Sequence, residues 1–409
     1  MALPRRAQPY LTQLLTSERF EKLQRQTASA VQKLGGQEML LRFFHDPGCA
    51  KSWLMAQALL RFQTAYDVKI VAHTMPAPSS EYVRDVAAYR RFSLEDAKHQ
   101  ALYFGLEPPE RLPQEGEVRT VAAELARMEG QRDWLAFAVH LGDTLFRGTS
   151  MPETMSELPE LERNMQLAQQ LGNYRGGSVF AHNAWYFGVD RFELLESSFR
   201  TLGAGDAVTL APHPERLPKL KGDTLRFFFS FRSPFSYLAL PRVFALAEAH
   251  NLALELLPVF VPTEERRPAP VRKQLDLLMD AGREARRHNL SFGRVTPLSQ
   301  EAHETLGAIF YGLANDEDRQ RQFLHSALHA IWSRGYDFRT ERTFRRIQKE
   351  ANIQEDEARA FDLDRRWLAC AYQNGEYLED RGYLDAPAFE LGHTMYWGYD
   401  RLEQLERQI

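Results

Sequence analysis

The order of apolar and polar positions gives the same series of elements twice along the chain. Residues 39–75 predict a buried strand, a helix and a second strand, and residues 223–261 predict the same three elements again. Each group precedes a charged, helix-periodic block, at 80–170 and at 263–380. Two short strands and a closing helix are expected after each block. The pattern therefore predicts an α/β protein with two similar halves, each carrying a helical insertion.

The boundaries of these parts follow from the same pattern. Residues 1–35 predict a helical lead-in, with Ser17 as an internal helix cap. A first domain is expected at 36–210 and a second at 224–409. The segment between them, 211–223, is rich in proline and polar side chains, which predicts a linker.

The two halves also share residues in the same order. Leu41–Phe44 matches Leu225–Phe228 at an offset of 184 residues, and Tyr186–Arg191 resembles Tyr396–Arg401 at an offset of 210. The difference between the offsets falls in the helical block, where insertions are tolerated. These matches predict a tandem duplication.

Composition narrows the classes of protein that fit this pattern. The chain has 409 residues, of which 44% are hydrophobic, and a formal net charge of −4. It is long enough for two domains, and its charge gives no reason to expect nucleic acid or an anionic membrane as a partner. We find no apolar run typical of a signal peptide or of a membrane-spanning helix.

The cysteine and histidine content limits the redox and metal chemistry. With two cysteines, Cys49 and Cys370, a disulfide framework and a thiolate-rich zinc site are excluded, and a cytoplasmic location is expected. Cys370 lies on an apolar helix face and is expected in the core. His182, His288 and His393 do not show the spacing of metal ligands, so we expect no metal.

A serine at a predicted helix start is the strongest candidate for chemistry. Ser233 is a preferred helix N-cap, and Pro234 suits the first helical position. The free N–H groups of a helix start attract anions. A hydroxyl there can donate a hydrogen bond to a bound thiolate, although it cannot form a disulfide itself. The alternative is that Ser233 only caps its helix.

The energy needed to ionise a bound thiol is within reach of such a site. Lowering a thiol pKa from ~8.5 to neutrality takes about 2 kcal/mol. A helix terminus supplies about 0.3–1 kcal/mol, and a charge-assisted hydrogen bond adds about 1.5 kcal/mol or more. The two together suffice without a metal ion.

Three stretches of the second half resemble a known group of proteins. They are FFFSFRSPFSYLALPRV at 227–243, GYLDAPAF at 382–389 and YWGYDRLEQLE at 396–406. In these stretches the chain is similar to 2-hydroxychromene-2-carboxylate isomerases and kappa-class glutathione transferases, within the DsbA-like thioredoxin-fold superfamily. The resemblance implies two tandem thioredoxin-like domains with inserted helical subdomains. It also implies a glutathione-dependent isomerase or transferase that acts on an aromatic or unsaturated acid.

The resemblance assigns roles to particular residues of the second half. Ser233 would hydrogen-bond the sulfur of glutathione, and Ala386 with a cis Pro387 would hold its peptide. Asp400, with Tyr399 beside it, would hold its amino end. The plainer alternatives are an ordinary turn proline at 387 and a simple helix cap at 400.

A basic cluster follows the second strand of this half. Its members are candidates to bind the carboxylates of glutathione or of an acid substrate, and they are Arg266, Arg267, Arg272 and Lys273. A solvated charged face is an equal alternative. The family commonly has an asparagine near this point, where this chain has arginines, so we assign no asparagine to glutathione binding.

The first half has a different residue at the matching helix start. A Cys-x-x-Ser arrangement begins at Cys49, whose pKa we expect to be lowered by the helix start, by Lys51 and by His45. There is no second cysteine three positions on to resolve a mixed disulfide. Gly177 or Ser178 stands in place of the cis-proline. The first-half site is therefore either a reactive monothiol or a structural relic.

Three functions are consistent with these features. The first is the glutathione-dependent isomerase or transferase, with glutathione and a small molecule as its partners. The second is a thiol–disulfide oxidoreductase that uses Cys49, and the third is a binding protein that has lost the chemistry of the fold. A homodimer of whole chains is a further candidate assembly.

Overall fold

The computed structural model shows a mixed α/β protein with two four-stranded sheets. It describes residues 7–34, 39–79, 83, 85–148, 159–260, 271–362, 366–383 and 385–409.

Two helices precede the first sheet, α1 (Gln8–Leu15) and α2 (Glu18–Leu34). The hydroxyl of Ser17 accepts a hydrogen bond from the Phe20 N–H at 3.2 Å. Two helices therefore lie where the sequence predicts a helical lead-in, and Ser17 lies at the start of the second.

The first sheet has the strand order β2-β1-β3-β4. Its first two strands are parallel, because a helix connects them, and the other pairs are antiparallel. The elements of this half are β1 (Leu40–His45), α3 (Ala50–Ala65), β2 (Lys69–Thr74), α4 (Val86–Phe104), α5 (Glu115–Arg127), α6 (Trp134–Arg147), α7 (Pro159–Gln170), β3 (Ser178–Ala181), β4 (Ala184–Phe187) and α8 (Phe192–Thr201).

The second sheet has the order β6-β5-β7-β8, with the same pattern of parallel and antiparallel pairs. A π-helical turn at Ala330–Arg334 interrupts its helical insertion. The elements of this half are β5 (Thr224–Phe229), α9 (Pro234–Ala249), β6 (Ala253–Pro258), α10 (Val271–Arg287), α11 (Gln300–Gly312), α12 (Glu317–His329), α13 (Glu341–Glu350), α14 (Glu355–Asp362), α15 (Arg366–Glu379), β7 (Ala388–Leu391), β8 (Thr394–Trp397) and α16 (Arg401–Gln408).

Each half builds its own core between its sheet and its first long helix. Phe43 of β1 and Phe227 of β5 are fully buried, each in the main apolar cluster of its half. Burying a side chain of this size contributes about 1.5–3 kcal/mol. The central strands of the sheets are held in place by these contacts, so the loop after each strand starts from a fixed point.

The predicted linker, 211–223, is packed along the protein. Leu217 is buried. The N–H of His213 donates to the carbonyl of Tyr103, and the N–H of Leu220 donates to the carbonyl of Gln408 at 2.8 Å. The segment thus joins the end of α4 in the first half to the end of α16 in the second.

The first helix of each insertion packs against the sheet of the other half. On α4, the ring of Phe92 lies 4.8 Å from that of Tyr383 and 5.3 Å from that of Trp397. On α10, the Lys273 ammonium lies 3.5 Å from the ring centroid of Phe187. The two halves are therefore joined by a buried interface. Among the residues that the structure describes, we find no helix with the length and apolar character that a membrane span needs.

Candidate functional site

Ser233 caps helix α9, as the sequence predicts. Its hydroxyl accepts a hydrogen bond from the Ser236 N–H at 3.3 Å, and Pro234 occupies the first helical position. The residue is 6% exposed. The hydroxyl of Ser236 in turn accepts from the Ser230 N–H at 3.1 Å, which fixes the loop between β5 and α9.

The peptide bond between Ala386 and Pro387 is cis and lies against Ser233. The Ser233 hydroxyl donates to the Ala386 carbonyl at 2.9 Å, although the two residues are 153 positions apart. The N–H of Ala386 donates to the Asp385 carboxylate at 2.8 Å. Both backbone groups of Ala386 therefore have partners within the protein, and a peptide ligand would have to replace them.

The end of strand β8 brings Asp400 to the same side of the sheet. The N–H of Gly398, two residues before Asp400, donates to the Pro387 carbonyl at 2.9 Å. Asp400 stands at the N-cap of α16 but makes no side-chain cap hydrogen bond. Its carboxylate instead pairs with Arg191 of the first half.

Tyr399 does not join this group. Its side chain is 2% exposed and lies in the core of the second half, with Arg242 over its ring at 5.5 Å. Burial raises the pKa of its hydroxyl to about 12. The expectation that Tyr399 binds glutathione is wrong for its side chain, because the core encloses the ring.

The pairing of Asp400 with Arg191 has a counterpart in the opposite direction. Arg401, which follows Asp400, pairs with Asp190, which precedes Arg191. Both arginines are nearly fully buried. Asp190-Arg191 and Asp400-Arg401 occupy matching positions in the two halves. Each aspartate therefore pairs with the arginine of the other half.

Each of these arginines also holds a carboxylate on an insertion helix. Arg401 makes two hydrogen bonds to Asp96 on α4, at 2.6 and 2.9 Å. Arg191 bonds Asp280 on α10 at 2.9–3.1 Å. Sequence reasoning missed Asp96 and Asp280, although they lie 184 positions apart, the offset of the first motif. Arg191 bonds one carboxylate oxygen of Asp400, so the predicted ligand role of Asp400 depends on its other oxygen.

The basic cluster does not assemble at Ser233. Lys273 is 1% exposed and lies over Phe187 of the first half, and burial lowers the pKa of its ammonium well below the ordinary value. Arg272 bonds Asn183 of the first half at 3.1 Å. Because α10 turns both residues toward the first half, the substrate contacts expected of Arg272 and Lys273 stay a prediction that this arrangement does not support. Arg266 and Arg267 lie outside the described residues.

Cys49 stands at the N-cap position of α3, which matches Ser233, but it makes no side-chain cap hydrogen bond and its environment is different. The thiol is 3% exposed, and its sulfur lies 3.2 Å from the Ser93 hydroxyl. Burial and the nearby Asp46 carboxylate raise the pKa of the Cys49 thiol. The prediction of a lowered pKa is wrong, because burial penalises the thiolate more than its neighbours stabilise it.

Of the two residues expected to lower the pKa of Cys49, Lys51 does so by less than burial raises it, and His45 carries no charge with which to do so. His45 is buried beside Ser52, at 2.8 Å, and burial lowers the pKa of its imidazole to about 3, so it is neutral. Lys51 pairs with Asp96 at 3.1 Å and lies over the Phe92 ring. Neither side chain places an uncompensated positive charge at the sulfur.

The structure decides which residue stands in place of the cis-proline in the first half. The Gly188 N–H bonds the Gly177 carbonyl at 3.0 Å, as the Gly398 N–H bonds that of Pro387. Gly177, and not Ser178, is therefore the equivalent residue, and its φ of +75° is one that proline cannot adopt. Among the described residues, the bond at Pro387 is the one cis peptide bond.

Cys370, expected in the core, is only partly buried. Its sulfur lies 3.9 Å from the Tyr311 hydroxyl. The expectation of full burial is wrong, since α15 turns this side of its apolar face partly toward solvent.

Comparison with known proteins identifies the second half. Residues 224–409 match the family of DsbA-like thioredoxin domains. The second half is a DsbA-like thioredoxin domain. The chain is also 27% identical, over 202 residues, to the 2-hydroxychromene-2-carboxylate isomerase of Sphingobium xenophagum. This match covers 46% of this chain and 97% of the relative. The predicted resemblance to this group is thus confirmed.

Two solved structures are similar over the same share of the chain. A 2-hydroxychromene-2-carboxylate isomerase structure has 22% identity and a TM-score of 0.38, over 45% of this chain and 92% of that one. The structure of the cytosolic disulfide reductase DsbM from Pseudomonas aeruginosa with GSH has 18% identity and a TM-score of 0.37. This match covers 45% of this chain and 93% of that one.

Proposed function

We propose that this protein is a glutathione-dependent isomerase or transferase, and that the DsbA-like domain in its second half carries the reaction. The observation that supports this most is the hydroxyl of Ser233 at the start of α9, 2.9 Å from the carbonyl of the cis Ala386–Pro387 bond. A serine at this point cannot act as a redox thiol, so the sulfur has to come from a ligand. The isomerase relative supports the same reaction class.

The site residues fit a thiol tripeptide if two internal contacts exchange and the Asp400 carboxylate is shared. Ser233 turns its hydroxyl from the Ala386 carbonyl to the ligand sulfur, where the helix start favours a negative charge. The Ala386 N–H leaves Asp385 and pairs with the ligand backbone. Asp400 keeps one carboxylate oxygen on Arg191 and offers the other to the ligand's amino group.

Bound glutathione would supply a thiolate that adds to an electrophilic carbon of an unsaturated or aromatic acid. Ser233 keeps the sulfur ionised before addition and stabilises it again when it leaves. If the adduct eliminates after bond rotation, the outcome is isomerisation. If the adduct is protonated and retained, the outcome is a conjugate.

We also infer that the first half, 36–210, is a second copy of the domain that has lost this site, with 211–223 as the connection. The equal strand order of the sheets and the reciprocal Asp-Arg pairs support a tandem duplication. The raised pKa of Cys49 and the glycine at 177 support loss of chemistry there. No observation favours the oxidoreductase alternative, which needs an accessible thiolate at Cys49.

Calorimetric titration with glutathione tests the proposal. We expect wild type and Cys49→Ala to bind equally, and Ser233→Ala to bind about 10–100-fold more weakly, because a hydrogen bond to a charged group contributes about 1.5–3 kcal/mol. Alkylation of Cys49 should leave activity unchanged.

Ser299→Ala is the matched control for loss of a helix cap. Ser299 caps α11, where its hydroxyl accepts from the Ala302 N–H at 3.1 Å, away from the cis peptide. This variant should lose stability as Ser233→Ala does and still bind glutathione. If wild type gives no heat of binding at millimolar glutathione, the hypothesis that remains is a non-catalytic binding protein.

A further inference from the structure

A cleft of about 470 Å³ opens on the helical insertion of the second half. Three parts of the chain line it. They are Gln13 of α1, the segment 291–294 between α10 and α11, and the end of the π-helical turn Ala330–Arg334 together with Tyr336. The volume lies in the range of small-molecule sites. The cleft is therefore a candidate binding site outside the thioredoxin-type sheets.

Hydrogen bonds hold the three parts of this cleft together. The N–H of Gly293 donates to the Trp332 carbonyl at 3.0 Å, and the N–H of Val295 donates to the Thr12 hydroxyl of α1 at 3.1 Å. The Trp332 carbonyl belongs to the last turn of its helix, where carbonyl groups have no partner within the helix. Turns of the π-helical type are rare and occur frequently at functional sites. The cleft is thus formed before any ligand binds.

Two arginines of the cleft have neutral partners. The Nε–H of Arg294 donates to the side-chain oxygen of Gln13 at 3.0 Å, and the guanidinium of Arg334 donates to the Tyr336 hydroxyl at 3.0 Å. Neither arginine makes an ion pair with a carboxylate among the residues that the structure describes. The amide and the phenol therefore orient the two guanidinium groups and leave their charges uncompensated.

Neighbouring arginines of the same insertion do have carboxylate partners. Arg339 pairs with Asp337 at 2.5 Å, and Arg346 pairs with Glu350 at 3.5 Å. Glu350 also acts on Arg334, but over a distance longer than that of an ion pair. The local carboxylates thus compensate the arginines beside the cleft, and the positive charge that remains is concentrated within it.

The rest of the lining determines which kind of ligand body fits. Gln13, Ser291 and Ser333 contribute an amide and two hydroxyl groups. The two aromatic residues already pack on protein groups, because the ring of Phe292 is stacked on that of Trp332 at 6.3 Å and the Arg346 guanidinium lies 4.6 Å from the ring centroid of Tyr336. The lining therefore favours a body rich in hydroxyl groups over a flat aromatic one.

We propose that this cleft binds a sugar phosphate. A phosphate monoester carries about 1.5 to 2 negative charges at neutral pH, which matches the two guanidinium groups of Arg294 and Arg334. Guanidinium groups hold phosphate oxygens through paired hydrogen bonds. The site does not depend on the proposed function, since neither Ser236 nor Ala386, the partners of the Ser233 hydroxyl, lines the cleft.

Calorimetric titration with glucose 6-phosphate tests the proposal, in about 0.15 M salt to screen non-specific attraction to exposed charges. We expect wild type to bind it about tenfold more tightly than inorganic phosphate, because the hydroxyl groups add hydrogen bonds, and to give no heat with glucose. Arg294→Gln and Arg334→Gln should each weaken glucose 6-phosphate by about tenfold or more, because each removes a charge-assisted hydrogen bond.

Arg339→Gln is the matched control, because Arg339 is an exposed arginine of the same insertion that pairs with Asp337 and does not line the cleft. Its affinity for glucose 6-phosphate should stay within about twofold of wild type. Arg294 and Arg334 are exposed as well, so we expect all three variants to unfold at the temperature of wild type.

Four results would overturn the proposal. They are no heat of binding with glucose 6-phosphate, equal affinity for glucose 6-phosphate and inorganic phosphate, unchanged binding in both Arg294→Gln and Arg334→Gln, and a loss in Arg339→Gln as large as in those variants. The last result would mean that the phosphate is attracted to surface charge in general.

Discussion

The two helix starts after β1 and β5 have the same backbone arrangement and opposite chemical properties. At the second, the Ser233 hydroxyl both accepts from its helix and donates to a cis peptide. At the first, Cys49 makes no cap hydrogen bond and is shielded by Ser93 on α4. A helix start alone therefore does not activate a side chain. The groups packed over it determine whether an anion can form there.

The insertion helices account for much of this difference. Helix α4 crosses to the second half, and it places Ser93 over the first-half thiol, Phe92 against Trp397 of the second sheet and Asp96 against Arg401 of α16. The same interface that joins the halves thus closes the site at Cys49. The next three predictions test how far the two halves are equivalent.

The largest effect is expected at the reciprocal arginines. Arg191→Met and Arg401→Met each remove a buried cation that bonds two carboxylates, although Asp280 keeps Arg283 and Asp96 keeps Lys51. Breaking a buried pair in this way costs about 3–5 kcal/mol. Because each arginine bridges the halves in the same way, we expect the two losses to agree within about 1 kcal/mol. Urea unfolding followed by circular dichroism measures them.

An exposed pair provides the control for these variants. Arg339→Met breaks a solvent-exposed ion pair with Asp337 and should cost below about 1 kcal/mol. A large loss for one buried arginine and none for the other would show that the interface is not symmetric in energy.

A smaller effect is expected at the serines that hold the two loops. Ser236→Ala leaves the buried Ser230 N–H without an acceptor and should cost about 1–3 kcal/mol. Ser52→Ala removes the same bond to Asp46, at 3.0 Å, and also the bond to His45, so we expect a loss about 1 kcal/mol larger. Thermal unfolding measures both, and the exposed Ser79→Ala is the control.

Equal losses at the two serines would mean that the bond to His45 contributes no stability. A smaller loss for Ser52→Ala than for Ser236→Ala would contradict the expected order.

The smallest effect is expected in the pH dependence of the unfolding free energy, at His45, a position where the two halves have different residues. Burial lowers the pKa of His45 to about 3, whereas the unfolded chain has a value near 6.5. The unfolded state binds the extra proton, so the stability from neutral His45 is present above about pH 6.5 and is lost as pH falls toward 3. Phe229 stands at the matching position of the second half. His45→Gln should therefore flatten the dependence of unfolding free energy on pH by about 1.4 kcal/mol per pH unit between pH 6 and 4.

Chemical denaturation at pH 6, 5 and 4 checks this slope. His250→Gln, at an exposed residue, should leave it unchanged. An unaltered slope in His45→Gln would mean that the imidazole is charged in the folded protein.

Local patterns were enough to predict most elements and the core of the second-half site. The strands, the cap at Ser233 and the cis bond at Pro387 follow from short-range residue preferences and from a resemblance carried by neighbouring residues. The roles of Asp400 and Lys273 could not be predicted in this way. Their charges are engaged by groups of the first half, and sequence spacing does not show which charges meet across an interface.

The sequence by itself determined the repeated strand–helix–strand order, the serine at one helix start and the cysteine at the other, because periodicity and capping depend on residues close in the chain. Only the tertiary structure decided that the pKa of the Cys49 thiol is raised and that the pKa of the His45 imidazole is lowered. Both shifts depend mainly on desolvation by elements distant in sequence, and desolvation is a property of the packed chain.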